Sequence, residues 1–160
     1  MMVQILAQML KIHQRLNRLA KEKTELLKQN DVENLEKLLK AEEAEVHLLE
    51  EAERKRQAAV YDFMKNHGIE HEEPTMSVLS QYLTGKEKEQ FQALHAELTE
   101  AAAELKRRNE LNEQLTKQSL FFINAQLAML SPDSQTSVTY QHPHDKKISQ
   151  SRHSIFDSKA

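Results

Sequence analysis

Residues 67–71, His-Gly-Ile-Glu-His, have the H-x-x-E-H spacing of inverted zinc proteases, whose histidines bind the metal. Zinc chemistry of this kind requires both imidazoles on one helical face and a third ligand. Gly68 and Pro74 instead place the motif at a helix end and in a loop. We therefore interpret the match as accidental. His142 and His144 lie in a polar segment, where two imidazoles make only a weak metal site.

Other catalytic signatures are missing from the sequence. The 160 residues contain no cysteine and only two glycines. Without cysteine there is no thiol nucleophile, thiolate zinc site or disulfide, and the composition is typical of a reducing compartment. Two glycines are too few for a phosphate-binding loop, a dinucleotide fingerprint or a serine nucleophile elbow. The sequence predicts a protein that is not an enzyme and has no cofactor.

Basic residues cluster at Lys106-Arg107-Arg108, but Glu104, Glu110 and Glu113 lie on the same predicted helix and offset their charge. The formal net charge of the chain is −3. We therefore predict no nucleic-acid partner. The rival hypothesis, a nucleic-acid-associated regulator, would use this cluster together with Lys11, Arg15, Arg18 and Lys21.

The elements that would position any site are helices. Residues 1–67 and 86–131 contain neither glycine nor proline and are rich in Leu, Ala, Glu, Lys, Gln and Arg, the residues that favour helices. The pattern predicts helices at about 2–29, 31–67, 76–83 and 86–130. No window is apolar enough for membrane insertion and the start lacks the features of a signal peptide, so we expect a cytoplasmic protein.

The first two helices should form an antiparallel hairpin. Apolar residues of the first helix recur in a 4-3 rhythm, interrupted by charge only at Lys23, which indicates a coiled-coil seam. Asn30 has the spacing of a capping residue for the second helix, and Gly68 predicts its end. Residues 1–30 carry six basic and two acidic groups, whereas residues 31–67 carry six and ten, so the two helices should attract each other.

The last long helix should complete the bundle. Its inward positions are apolar except at Arg108 and Asn112, and polar seam residues usually fix the register of packed helices. Residues 131–160 carry too little apolar content to fold alone, which predicts a disordered tail. The predicted fold class is therefore all-α: an elongated antiparallel three-helix coiled-coil bundle with a short connecting helix and a disordered C-terminal tail.

The end of the last helix carries more apolar residues than one seam requires. These residues are Leu120, Phe121, Phe122, Ile123, Leu127, Met129 and Leu130. In one interpretation they close the end of the bundle or form the seam of a homodimer, which would make the protein a structural coiled-coil adaptor. In the other they form a groove for the amphipathic helix of a partner, because methionine and aromatic side chains adapt to imperfect ligands.

Three parts of the chain carry a family resemblance. They are Asn-Asp-Val-Glu-Asn-Leu at 30–35 followed by Glu-Ala-Glu-Arg at 51–54, the segment from Asn109 to Asn124 that includes Leu-Phe-Phe-Ile, and Phe-Asp-Ser-Lys-Ala at 156–160. In this order, and together with the polar tail, they resemble the FlgN family of flagellar export chaperones, particularly its Bacillus-like members. The resemblance spans nearly the whole chain.

The resemblance implies a cytoplasmic chaperone of flagellar type III export that binds the C-terminal helical segments of the hook-filament junction proteins FlgK and FlgL. Such a chaperone prevents premature assembly of its clients and helps to deliver them to the export gate. The resemblance implies client binding by Leu115, Phe122, Ile123, Leu127, Met129, Leu130, Ile155 and Phe156. A tail aromatic is tied to gate docking in related chaperones, which indicates Tyr140 here. A homodimer is also compatible with this reading.

Overall fold

The computed structural model of the chain describes residues 1–130, and those residues are helical apart from short connections. The helices are α1 (Met2–Gln29), α2 (Val32–Asn66), the short α3 (Met76–Gln81) and α4 (Gly85–Leu130). The described part contains no strand, so the all-α prediction is confirmed. The predictions for residues 131–160 lie outside the described residues.

Two adjacent residues cap the helices of the hairpin: one ends α1 and the other starts α2. Asn30 adopts the left-handed conformation, with φ 54°, and terminates α1. Asp31 caps α2, because its side chain accepts a hydrogen bond from the backbone N–H of Asn34 at 3.2 Å. The prediction that Asn30 caps α2 is therefore wrong. Asparagine favours the N-cap of a helix, which is why the sequence pattern indicated Asn30. Asparagine also tolerates the left-handed conformation, and the reversal of the chain after α1 requires that conformation here.

Gly68 ends α2 as its sequence position predicts. The glycine has φ 67°, and its N–H bonds to the carbonyl of Lys65 while the next N–H, from Ile69, bonds to the carbonyl of Met64. This pair of bonds is a Schellman motif, in which two otherwise unpaired helix carbonyls are satisfied. Ile69 and Met64 are both buried in the same apolar cluster, so the turn is held by packing as well.

The hairpin of α1 and α2 is antiparallel and is held by apolar packing with ion pairs at its margins. Met9, Ile12 and Leu16 of α1 pack against Ala52 of α2. Lys23, the one charge in the predicted seam, lies 2.7 Å from Glu42 and is partly buried with it. The neutralised pair explains how a lysine fits the seam.

Helix α4 runs parallel to α1 and is joined to it by buried polar contacts. Nδ2 of Asn17 donates to the carbonyl of Ala101 at 2.9 Å. Nδ2 of Asn112 donates to the carbonyl of Ala20 at 2.9 Å, and its Oδ1 lies 2.7 Å from the hydroxyl of Thr24. Asn112 is only 3% exposed, which places it in the seam, as its register suggested. Because these bonds form at one alignment only, they select the register of α4 on α1.

The chain divides into two units, Met1–Asn124 and Ala125–Ala160. The first contains the hairpin, α3 and most of α4, and the described part of the second is the last turns of α4. Over residues 1–130, no helix has a stretch long and apolar enough to cross a membrane.

Candidate functional site

The histidine motif at residues 67–71 has a structural role at its first position. The ring of His67 packs on Phe63, with centroids 4.1 Å apart, and faces the edge of Tyr82 at 5.3 Å. Its Nδ1 lies 2.7 Å from the carbonyl of Phe63, which also accepts a hydrogen bond from the backbone N–H of His67 at 3.2 Å. Within the described residues no three His, Asp or Glu side chains group as metal ligands would. His67 therefore acts as part of the helix end.

The end of α4 extends past its neighbours in the first unit. Thr24 of α1 lies beside Asn112 of α4, and α1 continues for only five residues more, to Gln29. Since both helices rise by about 1.5 Å per residue, the end of α1 is level with about residue 117 of α4. The turns of α4 that follow within the first unit, up to Asn124, have no part of α1 to pack against.

The side chains on these turns are apolar and exposed. Phe121 is 78% exposed and Phe122 is 60% exposed, and Leu120 and Ile123 are exposed as well. Large apolar side chains that are exposed together on one short stretch of helix usually mark an interaction surface. We call Leu120, Phe121, Phe122 and Ile123 the α4 terminal patch.

The residues predicted to bind a client are distributed as follows. Leu115 is half-buried, whereas Phe122 and Ile123 belong to the exposed α4 terminal patch. In the second unit, Leu127, Met129 and Leu130 are each exposed. Ile155, Phe156 and Tyr140 lie outside the described residues.

Two members of the α4 terminal patch were absent from the predicted set. Leu120 and Phe121 belong to the apolar run, but the family resemblance on which the predicted client site depends does not indicate them. Phe121 is more exposed than Phe122, so its side chain is at least as accessible to a binding partner. The signal available in the sequence was the run itself, because four adjacent apolar residues point in all directions around a helix.

A charged pair lies one to two turns before the patch on the same helix. Nζ of Lys117 donates to Oε1 of Glu113 at 2.6 Å, and this hydrogen bond lowers the pKa of Glu113 below its ordinary value. Both groups are exposed, so the pair contributes solubility more than stability. The patch therefore offers apolar area beside a neutralised polar surface, which suits the apolar face of an amphipathic helix.

A comparison with known protein families identifies the family of this chain. The family model described as FlgN protein matches residues 1–147. The chain belongs to the FlgN family. The match covers all the described helices, and the FlgN resemblance predicted from the sequence is thereby confirmed.

A curated relative extends the same result. The chain is 30% identical over 154 residues to the uncharacterized protein YvyG of Bacillus subtilis strain 168, and the match covers 93% of this chain and 91% of the relative. No solved structure matches the chain. Membership of the FlgN family implies a role as a flagellar export chaperone, and FlgN proteins form a chaperone family and not an enzyme family.

Proposed function

We propose that this FlgN-family chaperone binds the C-terminal helical segments of the hook-filament junction proteins FlgK and FlgL in the cytoplasm, prevents their premature assembly and aids their delivery to the export gate. The client-binding residues in the first unit are Leu115, Phe122 and Ile123, with Phe121 added from its exposure. Leu127, Met129 and Leu130 of the second unit belong to the same proposal, as do Ile155 and Phe156. Tyr140 is proposed to dock on the gate.

One observation supports this function most directly: the α4 terminal patch leaves two adjacent phenylalanines exposed beyond the end of α1. Burying a large apolar side chain yields about 1.5–3 kcal/mol relative to leaving it in water. A client helix that covers the patch would gain this free energy, whereas the first unit by itself buries neither ring.

The physics of such a complex also suits a chaperone that must release its client. A client segment that folds into a helix on binding loses conformational entropy, and that loss offsets part of the contact free energy. The complex is then specific without being permanent. A client end made to polymerise would also have its apolar face covered until export.

The proposal is tested by isothermal titration calorimetry of the full chain with a C-terminal fragment of FlgK. We compare the parent with the double variant Phe122→Ala/Ile123→Ala. If both side chains are anchors worth about 2 kcal/mol each, affinity should fall by about a thousandfold. Circular dichroism of the variant should match that of the parent, because neither side chain is buried in the free protein.

Tyr61→Ala provides the matched control. Tyr61 is an aromatic residue of α2 with 63% exposure, close to that of Phe122, but it lies outside the α4 terminal patch. Its loss should leave the affinity for the FlgK fragment within about twofold of the parent. Equal affinities of parent and double variant would exclude the patch as the client site, and parallel titrations with an FlgL fragment would show which client is preferred.

A further inference from the structure

The face of α4 that packs on α1 continues past the end of α1. Between Leu105 and Ser119, the buried and half-buried positions follow steps of three and four residues, and every other position is exposed. Asn112 holds this face against α1 through its contacts with Ala20 and Thr24. The covered positions are Leu105, Arg108, Asn112, Leu115 and Ser119. Burial along this part of α4 therefore marks one continuous seam.

The next step of the same series reaches Phe122. This residue lies three positions after Ser119, and its side chain is 60% exposed. Phe122 is thus the first large side chain of the seam that α1 is too short to cover. Phe121 belongs to another face, because neighbouring residues of a helix point about 100° apart. Of these two adjacent rings, only that of Phe122 continues the seam.

Four residues at this level have the spacing of a packing hole. In helical bundles, a side chain of one helix inserts between residues i, i+3, i+4 and i+7 of its neighbour. Ser119 is the small residue of this set, so it leaves room for a large apolar side chain. None of the four is charged, and two are half-buried while two are exposed. They are Leu115, Gln118, Ser119 and Phe122.

From this continuity we propose that the client helix docks as an extension of α1. It lies on the face of α4 that α1 occupies over the preceding turns, begins beyond Gln29, and inserts a large apolar side chain into the hole around Ser119. This inference rests on the proposed function and adds to it the face, the register and the residue that limits the size of the inserted side chain. A helix is the expected occupant, because the same seam already packs on a helix up to the end of α1.

The two phenylalanines provide a matched pair for the test. Phe122→Ala removes one wall of the hole, and it should weaken binding of the C-terminal FlgK fragment to the full chain by about thirtyfold in calorimetry. Phe121→Ala removes the same side chain from the adjacent face and should weaken binding by about threefold or less. Circular dichroism of both variants should match that of the parent, because neither ring is buried in the free protein.

Ser119 tests the hole itself. Ser119→Leu fills the space that the client side chain would enter, so affinity for the FlgK fragment should fall by about tenfold or more. Ser119→Ala keeps the residue small and should leave the affinity within about twofold of the parent. Leucine and alanine both favour helices, and the position is only half-buried, so both variants should retain the parent fold.

The position of the client helix can be measured directly, because the chain contains no cysteine. A nitroxide attached to the exposed position of Gln29→Cys marks the end of α1. It should broaden the nuclear magnetic resonance signals at one end of an isotope-labelled FlgK fragment. The control is Gln90→Cys, an exposed position about 48 Å before Phe122 along α4, from which the label should broaden none of them.

Several results would overturn this docking mode while leaving the proposed function standing. They are equal losses from Phe121→Ala and Phe122→Ala, parent affinity in Ser119→Leu, and no broadening from the label at position 29. Broadening between two copies of the chain, or at residues 131–160, that persists after the fragment is added would identify those as the occupant and refute the proposal. Failure of the parent to bind the fragment would instead refute the proposed function, and the docking mode with it.

Discussion

Asn112 offers the sharpest test of how α4 is aligned on α1. The residue is buried, and its amide makes two hydrogen bonds, to the carbonyl of Ala20 and to the hydroxyl of Thr24. Asn112→Ala removes both bonds and leaves a small cavity. Each bond contributes about 1 kcal/mol net, and the cavity adds to the cost, so the free energy of unfolding should fall by about 2–3 kcal/mol.

Thr24 allows the interaction itself to be measured. Thr24→Val keeps the shape of the side chain but leaves the Oδ1 of Asn112 without its donor, at a cost of about 1–3 kcal/mol. Because the two residues contact each other, the double variant Thr24→Val/Asn112→Ala should be more stable than the sum of the single effects predicts, by about 0.5 kcal/mol or more. Urea denaturation followed by circular dichroism at pH 7 gives all four free energies.

Asn109→Ala is the control for this cycle. Asn109 is an exposed asparagine on the same helix, and its replacement should change stability by no more than about 0.5 kcal/mol. If Asn112→Ala is as harmless as Asn109→Ala, the buried network does not align α4, and the reasoning is refuted. Additive single effects of Thr24→Val and Asn112→Ala would show that the 2.7 Å contact does not exist in solution.

Two further predictions concern the α1–α2 turn and acid stability. Asn30→Gly should preserve stability, because glycine adopts the left-handed conformation without strain. Asn30→Ala should lower stability by about 1 kcal/mol in thermal unfolding, because alanine lacks the short polar side chain that lets asparagine tolerate this conformation; equal melting would contradict the turn geometry. The hydrogen bond from Arg56 lowers the pKa of Glu53, so the unfolded chain binds the proton more tightly. This contribution to stability is complete above the ordinary pKa of 4.5 and is lost as the pH falls through the lowered value. Urea titrations in acid should therefore show a smaller loss for Glu53→Gln than for the parent, and identical pH profiles would count against the pair.

Much of the fold follows from local patterns in the sequence. The 4-3 rhythm of α1 predicts the hairpin seam, and Gly68 predicts the end of α2, because each signal depends on neighbours along the chain. The exchange of roles between Asn30 and Asp31 was not predictable in this way. Both residues favour a helix cap, and the choice is made by the reversal of the chain, which requires the left-handed conformation at one of them.

The apolar surface at the end of α4 was predictable only in part. The excess of apolar residues could be recognised in the sequence, because Phe121 and Phe122 cannot both face one seam. Which of these side chains stay exposed could not be recognised, because their exposure depends on how far α4 continues past the end of α1.

The unequal lengths of the helices imply unequal resistance to opening. In α4, backbone amides near Phe91 and Asn112 are covered by packing with the hairpin, whereas those around Phe122 are backed by no turn of α1. Deuterium should therefore enter the chain first near Phe122 and last near the buried seam. A client bound there, as proposed, would be released by local unfolding of these turns, while the helical packing before them stays intact.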